Sequence, residues 1–372
     1  MKELVEIIRA YDQAKKNAMQ TVLATVVHVD GSSYRRPGAR MLVLESGLMI
    51  GAISGGCLEG DALKKALLTF TDRTTRLITY DTSNEDDATV GIQLGCEGII
   101  QVLFEYINHS QENNPIELLR KACNNRQKAV IVTLFDVQDK KNPLMGTAFL
   151  LDEQEHFESN VVAEINKSIL VDARQVLTNA SAHFSQYKIG EKSIQTFFDY
   201  IQPPISIVIV GAGNDAIPLS QMADLLGWEV KVVDGRNTHA KQDRFISACQ
   251  VLVSKPEKVL EQIKIDNRTC FVLMTHNYQY DLQMLKALLP LGLPYIGLLG
   301  PKKKLEKALN ELAEQGFVPT EAQLANVYGP TGLDIGAETA EEIASSIIAE
   351  IQSVLNKKEG IQLRNKNTPI HQ

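Results

Sequence analysis

Cysteine is scarce in this sequence: five in 372 residues, at positions 57, 96, 123, 249 and 270. A secreted scaffold stapled by disulfides is shorter and far richer in cysteine, so the count points to a reducing cytoplasm. The spacings exclude as much as the number does. No C-x2-C pair offers a zinc site, and no C-x4-C-x2-C run offers an iron–sulfur cluster. An excess of basic charge is also missing. With 38 Lys and Arg against 45 Asp and Glu, a net of −7, neither nucleic acid nor an anionic membrane is expected as the main partner. Every apolar run is broken by Gly, Pro or charge before the ~18 residues a spanning helix needs. The N-terminus M-K-E-L-V-E-I-I-R carries acids and lacks the apolar stretch of a signal peptide.

What is present is an ordinary globular composition, 44% hydrophobic and 22% charged, in a chain long enough for two or three domains. Residues 2–19 read as an amphipathic helix with Leu4, Ile7, Ile8 and Tyr11 on one face. A β-rich stretch follows, with Ser46-Gly47 as a hairpin turn, then a helix from Glu59 to Phe70 and strands near 75–80 and 99–106. A-V-I-V-T-L-F and G-T-A-F-L-L read as paired strands with Lys140–Pro143 between them, and F-F-D-Y-I near 197–201 as one more. Gln202-Pro203-Pro204 marks a boundary, because two prolines remove two backbone donors and hold the chain extended, as suits an interdomain hinge. Beyond it strands alternate with helices, the pattern of a parallel sheet covered by helices. The expected fold class is therefore α/β: an N-terminal α+β domain over residues 1–201 and a C-terminal Rossmann-like parallel-sheet domain over 205–356. Thr339 and Glu342 form a T-x-x-E capping box for the closing helix, which Lys357, Lys358 and Gly360 end. Residues 357–372 read as a disordered tail.

Two groups of residues carry chemistry. In the second domain the strand I-S-I-V-I-V runs into G-A-G-N-D-A and a helix ending at Gly227. In that context Gly211 permits the tight turn, Gly213 lets backbone approach a phosphate, and Ala216 allows helix and strand to pack. Asp234 ends the next strand, roughly 20 residues on, where an acid accepts a ribose 2′-OH. Asp215, at the helix N-terminus, suits the macrodipole but repels an incoming phosphate; its plain reading is a solvated first-turn carboxylate. His276 in M-T-H-N falls at the carboxyl edge of the sheet, either a site histidine alongside Tyr280 and Asp281 or a surface residue of an Asn-rich loop. No Tyr-x-x-x-Lys follows in this domain; Tyr11 and Lys15 have that spacing by chance.

The first domain has S-G-G-C-L-E-G-D at 54–61 and L-G-C-E-G at 94–98, each a cysteine among glycines. Cys57 stands at a helix N-terminus, where the dipole favours thiolate over thiol. G-S-S-Y-R-R-P-G-A-R-M places Arg35, Arg36 and Arg40 in a turn-rich loop. Together they can hold an anionic, sulfur-bearing ligand, since Arg forks bind phosphate oxygens and thiolates bind sulfur or a soft metal. The plain alternatives are a solvated hairpin tip and small buried thiols. Cys123, Cys249 and Cys270 take the buried-thiol reading, and Glu85, Asp86 and Asp87 that of a solvated loop rather than a metal site.

These strings, with V-V-D-G-R, Y-I-G-L-L-G and G-L-D-I-G-A-E-T-A-E-E-I-A-S-S-I-I-A-E-I, resemble one family, the XdhC/CoxI proteins, over roughly residues 20–351 and in the family's order. The resemblance implies an accessory protein of molybdenum hydroxylases such as xanthine dehydrogenase. Such a protein binds molybdenum cofactor transiently, protects it while a cysteine desulfurase installs its terminal sulfur, and hands it to the apo molybdenum hydroxylase. It implies cofactor-binding positions at Arg35, Arg36, Ser54, Gly55, Gly56, Cys57, Cys96, Gly211, Gly213, Asn214, Asp234, Arg236 and His276, with Cys57 or Cys96 as molybdenum or sulfur contacts and no catalytic residue. The chain departs from the family at Glu97, where G-C-G-G is common, at Asn214, where His is common, and at Tyr34, where Pro is common. The missing cluster motifs and the two-domain length separate it from a xanthine dehydrogenase itself. Two other readings stay open: an NAD(P)-linked oxidoreductase using G-A-G-N-D-A, and an interaction scaffold with an empty Rossmann site. A homodimer is expected on general grounds.

Overall fold

The computed structural model describes residues 1–31, 33–81, 98–124, 126–139, 142–159, 167–189 and 192–367. The chain divides into two compact units, Met1–Pro203 and Pro204–Gln372. Cys96, Glu97 and the Glu85–Asp87 acids lie outside the described residues.

The first unit holds two antiparallel five-stranded sheets. Strands β1 (Thr21–Gly31), β2 (Arg40–Leu44), β3 (Met49–Gly51), β4 (Arg76–Asp81) and β5 (Gly98–Tyr106) form the first, in the order β3-β2-β1-β5-β4. Strands β6 (Ala129–Phe135), β7 (Gly146–Asp152), β8 (Phe157–Ser159), β9 (His183–Ile189) and β10 (Lys192–Ile201) form the second, in the order β8-β7-β6-β10-β9. Alternation decides which side of each strand is covered. Val22, Ala24 and Val26 of β1 face helix α2 (Glu59–Asp72) with Leu58, Ala62 and Ala66. Leu23 faces the other way, onto α1 (Lys2–Lys16), α3 (Pro115–Cys123) and Ile131 and Leu150 of the second sheet. Val27, Leu103, Phe135 and Phe197 join the two sheets directly. Helix α4 (Lys167–Asn179) covers the far side of the second sheet through Ile169, Ala173 and Val176. The β2–β3 hairpin turns at Gly47, whose φ of +85° suits glycine.

The layer between the sheets also holds charge. The Arg40 guanidinium donates to Asp199 Oδ2 at 2.6 Å and to the Gly38 carbonyl at 2.9 Å. Glu105 accepts from the Thr147 N–H at 2.6 Å and its hydroxyl at 2.8 Å. Burial pushes the Glu105 carboxyl above its ordinary range, against the pull of those hydrogen bonds and of Arg40. Arg40 is therefore not the loop residue its sequence neighbours imply. It opens β2, and its charge is spent on a buried pair that ties the first sheet to the second.

The second unit is a six-stranded parallel sheet of β11 (Ser206–Val210), β12 (Glu229–Asp234), β13 (Gln250–Val253), β14 (Thr269–Leu273), β15 (Tyr295–Leu298) and β16 (Val327–Tyr328). Its order, β13-β12-β11-β14-β15-β16, is the 3-2-1-4-5-6 of the dinucleotide-binding fold. Helices α5 (Ala216–Leu225) and α10 (Ala340–Leu355) cover one face through Leu219, Ala223, Ile347 and Ile351. On the other face α6 (Pro256–Val259), α7 (Tyr278–Leu288) and α8 (Lys302–Glu314) contribute Val259, Leu282, Leu285 and Leu312. A short helix α9 (Glu321–Leu324) precedes β16.

Helix ends follow local chemistry. Gly227, at φ +75°, donates to Asp224 O while Trp228 donates to Ala223 O, closing α5 with the paired bonds of a Schellman motif. The Thr339–Glu342 capping box opens α10. That helix ends one turn earlier than glycine placement implies: Lys357, not Gly360, follows its cap in the left-handed region, at φ +54°. Of the tail at 357–372, residues 357–367 are described and include one 3-10 turn at Leu363–Asn365.

Candidate functional site

In the first unit the site is built around a serine. Ser54 is buried, and its hydroxyl donates to Glu59 Oε2 at 2.5 Å while accepting the N–H groups of Gly56 and Leu58, each at 3.1 Å. The Ser54 N–H donates to Glu59 Oε1 at 3.0 Å. Glu59 is the first residue of α2, where the helix dipole favours an acid, and this exchange fastens the loop that leads into the helix. Within the clasped loop Gly56 has φ +113°, and a β-carbon there would meet nothing within 4 Å, so the backbone lies bare and open. Gly55 lies beneath the exposed Tyr34 ring, 3.3 Å from where its β-carbon would stand. Cys57, half-buried, places its thiol 3.6 Å from the Ser54 hydroxyl.

The 34–38 loop and the Ser54–Cys57 loop are thus neighbours, which brings Arg35 to the same end of the unit. Arg35 is engaged with Glu3 of α1, donating to both carboxylate oxygens at 2.6 Å. Arg36 is exposed. The sequence reading missed Glu59, Glu3 and Asp199. Glu59 alone had a local signal, an acid at the start of a helix just after a buried serine.

The other cysteines separate by surroundings. Cys270 is fully buried in β14, and burial pushes its thiol up to about 12. Cys123 is half-buried and raised by burial, with Met1 Sδ 3.5 Å away. Cys249 is not the buried thiol expected of it. It is exposed just before β13, the edge strand of the sheet among the described residues, and its thiol donates to Val230 O at 3.1 Å.

At the carboxyl edge of the parallel sheet, the residues singled out in the second unit do converge. Gly211 has φ +123°, and a β-carbon would lie 2.4 Å from Met274 O, so this glycine is needed for the passage of β11 beside β14. Asp234 is 3% exposed. It accepts from the Ala212 N–H at 2.8 Å, the Arg236 N–H and Nε at 2.9 Å and Arg236 Nη2 at 2.7 Å. Burial raises the Asp234 pKa, but the Arg236 guanidinium and these N–H groups outweigh it and leave the group below its ordinary range. Arg244 clamps the turn from outside, donating to Ala212 O, His239 O and Asn214 Oδ1, each at 2.8 Å.

His276 takes a left-handed backbone, φ +56°, and its Nε2 lies 2.8 Å from Asp215 Oδ2. Tyr280 and Asp281 are occupied elsewhere. The Tyr280 hydroxyl donates to Ser254 O, and Asp281 receives the Thr275 hydroxyl and the Lys304 ammonium. Asp215, a part-exposed carboxylate at the start of α5, is also the partner of His276. Among the described residues no group of three or more His, Cys, Asp or Glu is placed to hold a metal ion, and no helix is long and apolar enough to cross a membrane.

Both regions fall within known family models. The XdhC and CoxI family matches residues 14–81, which contain the Ser54–Glu59 clasp, and the XdhC Rossmann domain matches 207–351, which contain the glycine turn. A probable xanthine dehydrogenase subunit of Bacillus subtilis (strain 168) is 33% identical over 341 residues, spanning 91% of this chain and 94% of that protein. The chain belongs to the XdhC/CoxI family. Among its relatives is the "Molybdenum cofactor insertion chaperone PaoD" of Escherichia coli (strain K12), 21% identical over 348 residues, 94% of this chain and 87% of PaoD. A Bacillus halodurans crystal structure described as a xanthine dehydrogenase matches with a TM-score of 0.76 and 27% identity, over 97% of this chain and 98% of that one. The family's two-part order, XdhC/CoxI region then Rossmann domain, is the order of the two units.

Proposed function

We propose that this protein is an accessory factor that binds molybdenum cofactor, assists its sulfuration by a cysteine desulfurase and delivers it to an apo molybdenum hydroxylase of the xanthine dehydrogenase type. The observation that carries this reading is the Ser54–Glu59 clasp. It holds a half-buried thiol beside bare glycine backbone in a chain related along nearly its full length to a molybdenum cofactor insertion chaperone. The cargo is anionic and sulfur-rich, and each part of the loop has a use toward it. Gly56 lets a large planar ligand approach the backbone. Cys57 offers a soft ligand to sulfur or molybdenum. Arg35 and Arg36 offer forked donors to a terminal phosphate, each once it exchanges its present contacts, Glu3 in the case of Arg35, for that phosphate. The role is to hold and hand over, and Cys57 is a binding residue in it, not a catalyst.

Protein purified from a host that makes the cofactor, then denatured and oxidised, should release a fluorescent pterin in near-stoichiometric amount. Cys57→Ala should lower it severalfold with the melting temperature unchanged. Wild type free of pterin would sink the binding reading. Undiminished pterin in the variant would remove Cys57 from the site while leaving the rest standing.

A further inference from the structure

The fold and the G-A-G turn call for a dinucleotide, yet the residues at that turn are committed to one another. A dinucleotide on this fold needs two things, an open helix N-terminus for its pyrophosphate and a free carboxylate for its ribose hydroxyl. Neither is free. The Asp215 side chain folds back over the turn, its Oδ1 only 2.3 Å from where a β-carbon on Gly213 would stand. There it puts a negative charge at the N-cap of α5, although it accepts none of the first-turn N–H groups itself, and His276 holds it at 2.8 Å. The second position is filled outright. A carboxylate has about four lone-pair sites, and Asp234 meets four donors, three of them from Arg236. Arg244 then pins the loop from outside, with bonds to Ala212 O and Asn214 Oδ1.

We propose that the Rossmann turn of this protein is a self-occupied dinucleotide site. The Asp215 charge bars the pyrophosphate and Arg236 takes the place of the ribose hydroxyl, which makes Asp215 the specificity-determining residue that keeps NAD(P) out. The geometry follows from three residues that the G-x-G-x-x-A pattern does not specify: an acid two positions after the second glycine, a histidine in a left-handed loop to hold it, and an arginine two residues after the ribose acid. An incoming pyrophosphate meets like charge where it needs bare N–H groups, and a ribose hydroxyl meets a carboxylate with no acceptor site left. The proposal is independent of pterin binding by the first unit, and the two are read by different assays.

Calorimetric titration of the full-length protein with NADH and with NADPH tests it, using wild type, Asp215→Val, Asp215→Asn and the double variant Asp215→Val/Arg236→Ala. Wild type should show no saturable heat up to millimolar ligand. Removing the charge at 215 should bring binding at least tenfold tighter than wild type, about 1.4 kcal/mol, and the double variant should bind tightest of the four. Asp215→Asn keeps the side chain's shape, so a gain there assigns the effect to charge. Micromolar binding by wild type overturns the proposal. So does a double variant that melts cooperatively and still binds no better than wild type.

Discussion

Ser54 carries more of the candidate site than the cysteine three positions away. Its hydroxyl joins two backbone N–H groups to Glu59, so Ser54→Ala should cost about 1 kcal/mol or more, the usual penalty for leaving buried hydrogen-bonding groups without their partner. Urea unfolding would measure it, and a loss of only a few tenths would show that Glu59 holds the loop alone. Glu105 makes a second prediction through pH. Its folded pKa lies above the ordinary 4.5, so the folded state binds its proton more tightly than the unfolded state does. That contribution is complete below pH 4.5 and is lost as pH rises from there through the folded value. Glu105→Gln retains an acceptor for the Thr147 N–H and cannot ionise. The variant's melting temperature should therefore gain on wild type steadily as pH is raised above 4.5; a constant difference across pH would show that Glu105 does not titrate on unfolding. At this scale the sequence was only half legible. Gly211, Asp234 and His276 could be placed from motif spacing, because the strand–turn–helix unit sets their positions. The groups they meet, Met274, Arg236 and Asp215 respectively, could not be paired in advance, and the Arg40–Asp199 pair depends on two strands far apart in the chain.

The elements that sequence revealed best were those whose signals are local. The hairpin at Gly47, the paired strands β6 and β7, and the capping box of α10 each depend on a few adjacent residues. Strand β16, two residues long, and α3, despite its Asn114–Pro115 start, were missed. The first is too short to show alternation. The second carried a clear signature, since the Asn114 side chain accepts from the Ile116 and Glu117 N–H groups and proline suits the first helical position. Two glycines with positive φ make a paired prediction about turns. Gly211→Ala drives a β-carbon to 2.4 Å from the Met274 carbonyl and should cost about 3 kcal/mol or more, whereas at Gly47 nothing lies within 4 Å and only the backbone penalty of about 1 kcal/mol remains. Thermal melts of the two variants would check the order, and equal losses would contradict the close approach at Gly211.

At the scale of the whole molecule, the change from a β-rich α+β stretch to alternating strands and helices was visible on either side of Pro203-Pro204; the two compact units divide there. The sheet order was not visible, because pairing β11 with β14 is a long-range choice that no local pattern encodes. The apolar clusters on both faces of the parallel sheet are made of residues from Ile205 onward. Residues 204–372 expressed alone should therefore unfold in one cooperative thermal transition by circular dichroism. A broad, sloping melt would show that this unit borrows stability from the first.

Strand β11 lies in the middle of its sheet, yet it is the first of the six strands to be synthesised. Its bonds to β12 can form as soon as that strand leaves the ribosome. Its other edge waits for Thr269–Leu273 of β14, about 3–12 s at about 5–20 residues per second. For that interval Ile207, Val208 and Ile209 present an unpaired apolar edge, the kind that pairs with a neighbouring nascent chain. The strand that organises the finished sheet is thus its most exposed part during translation.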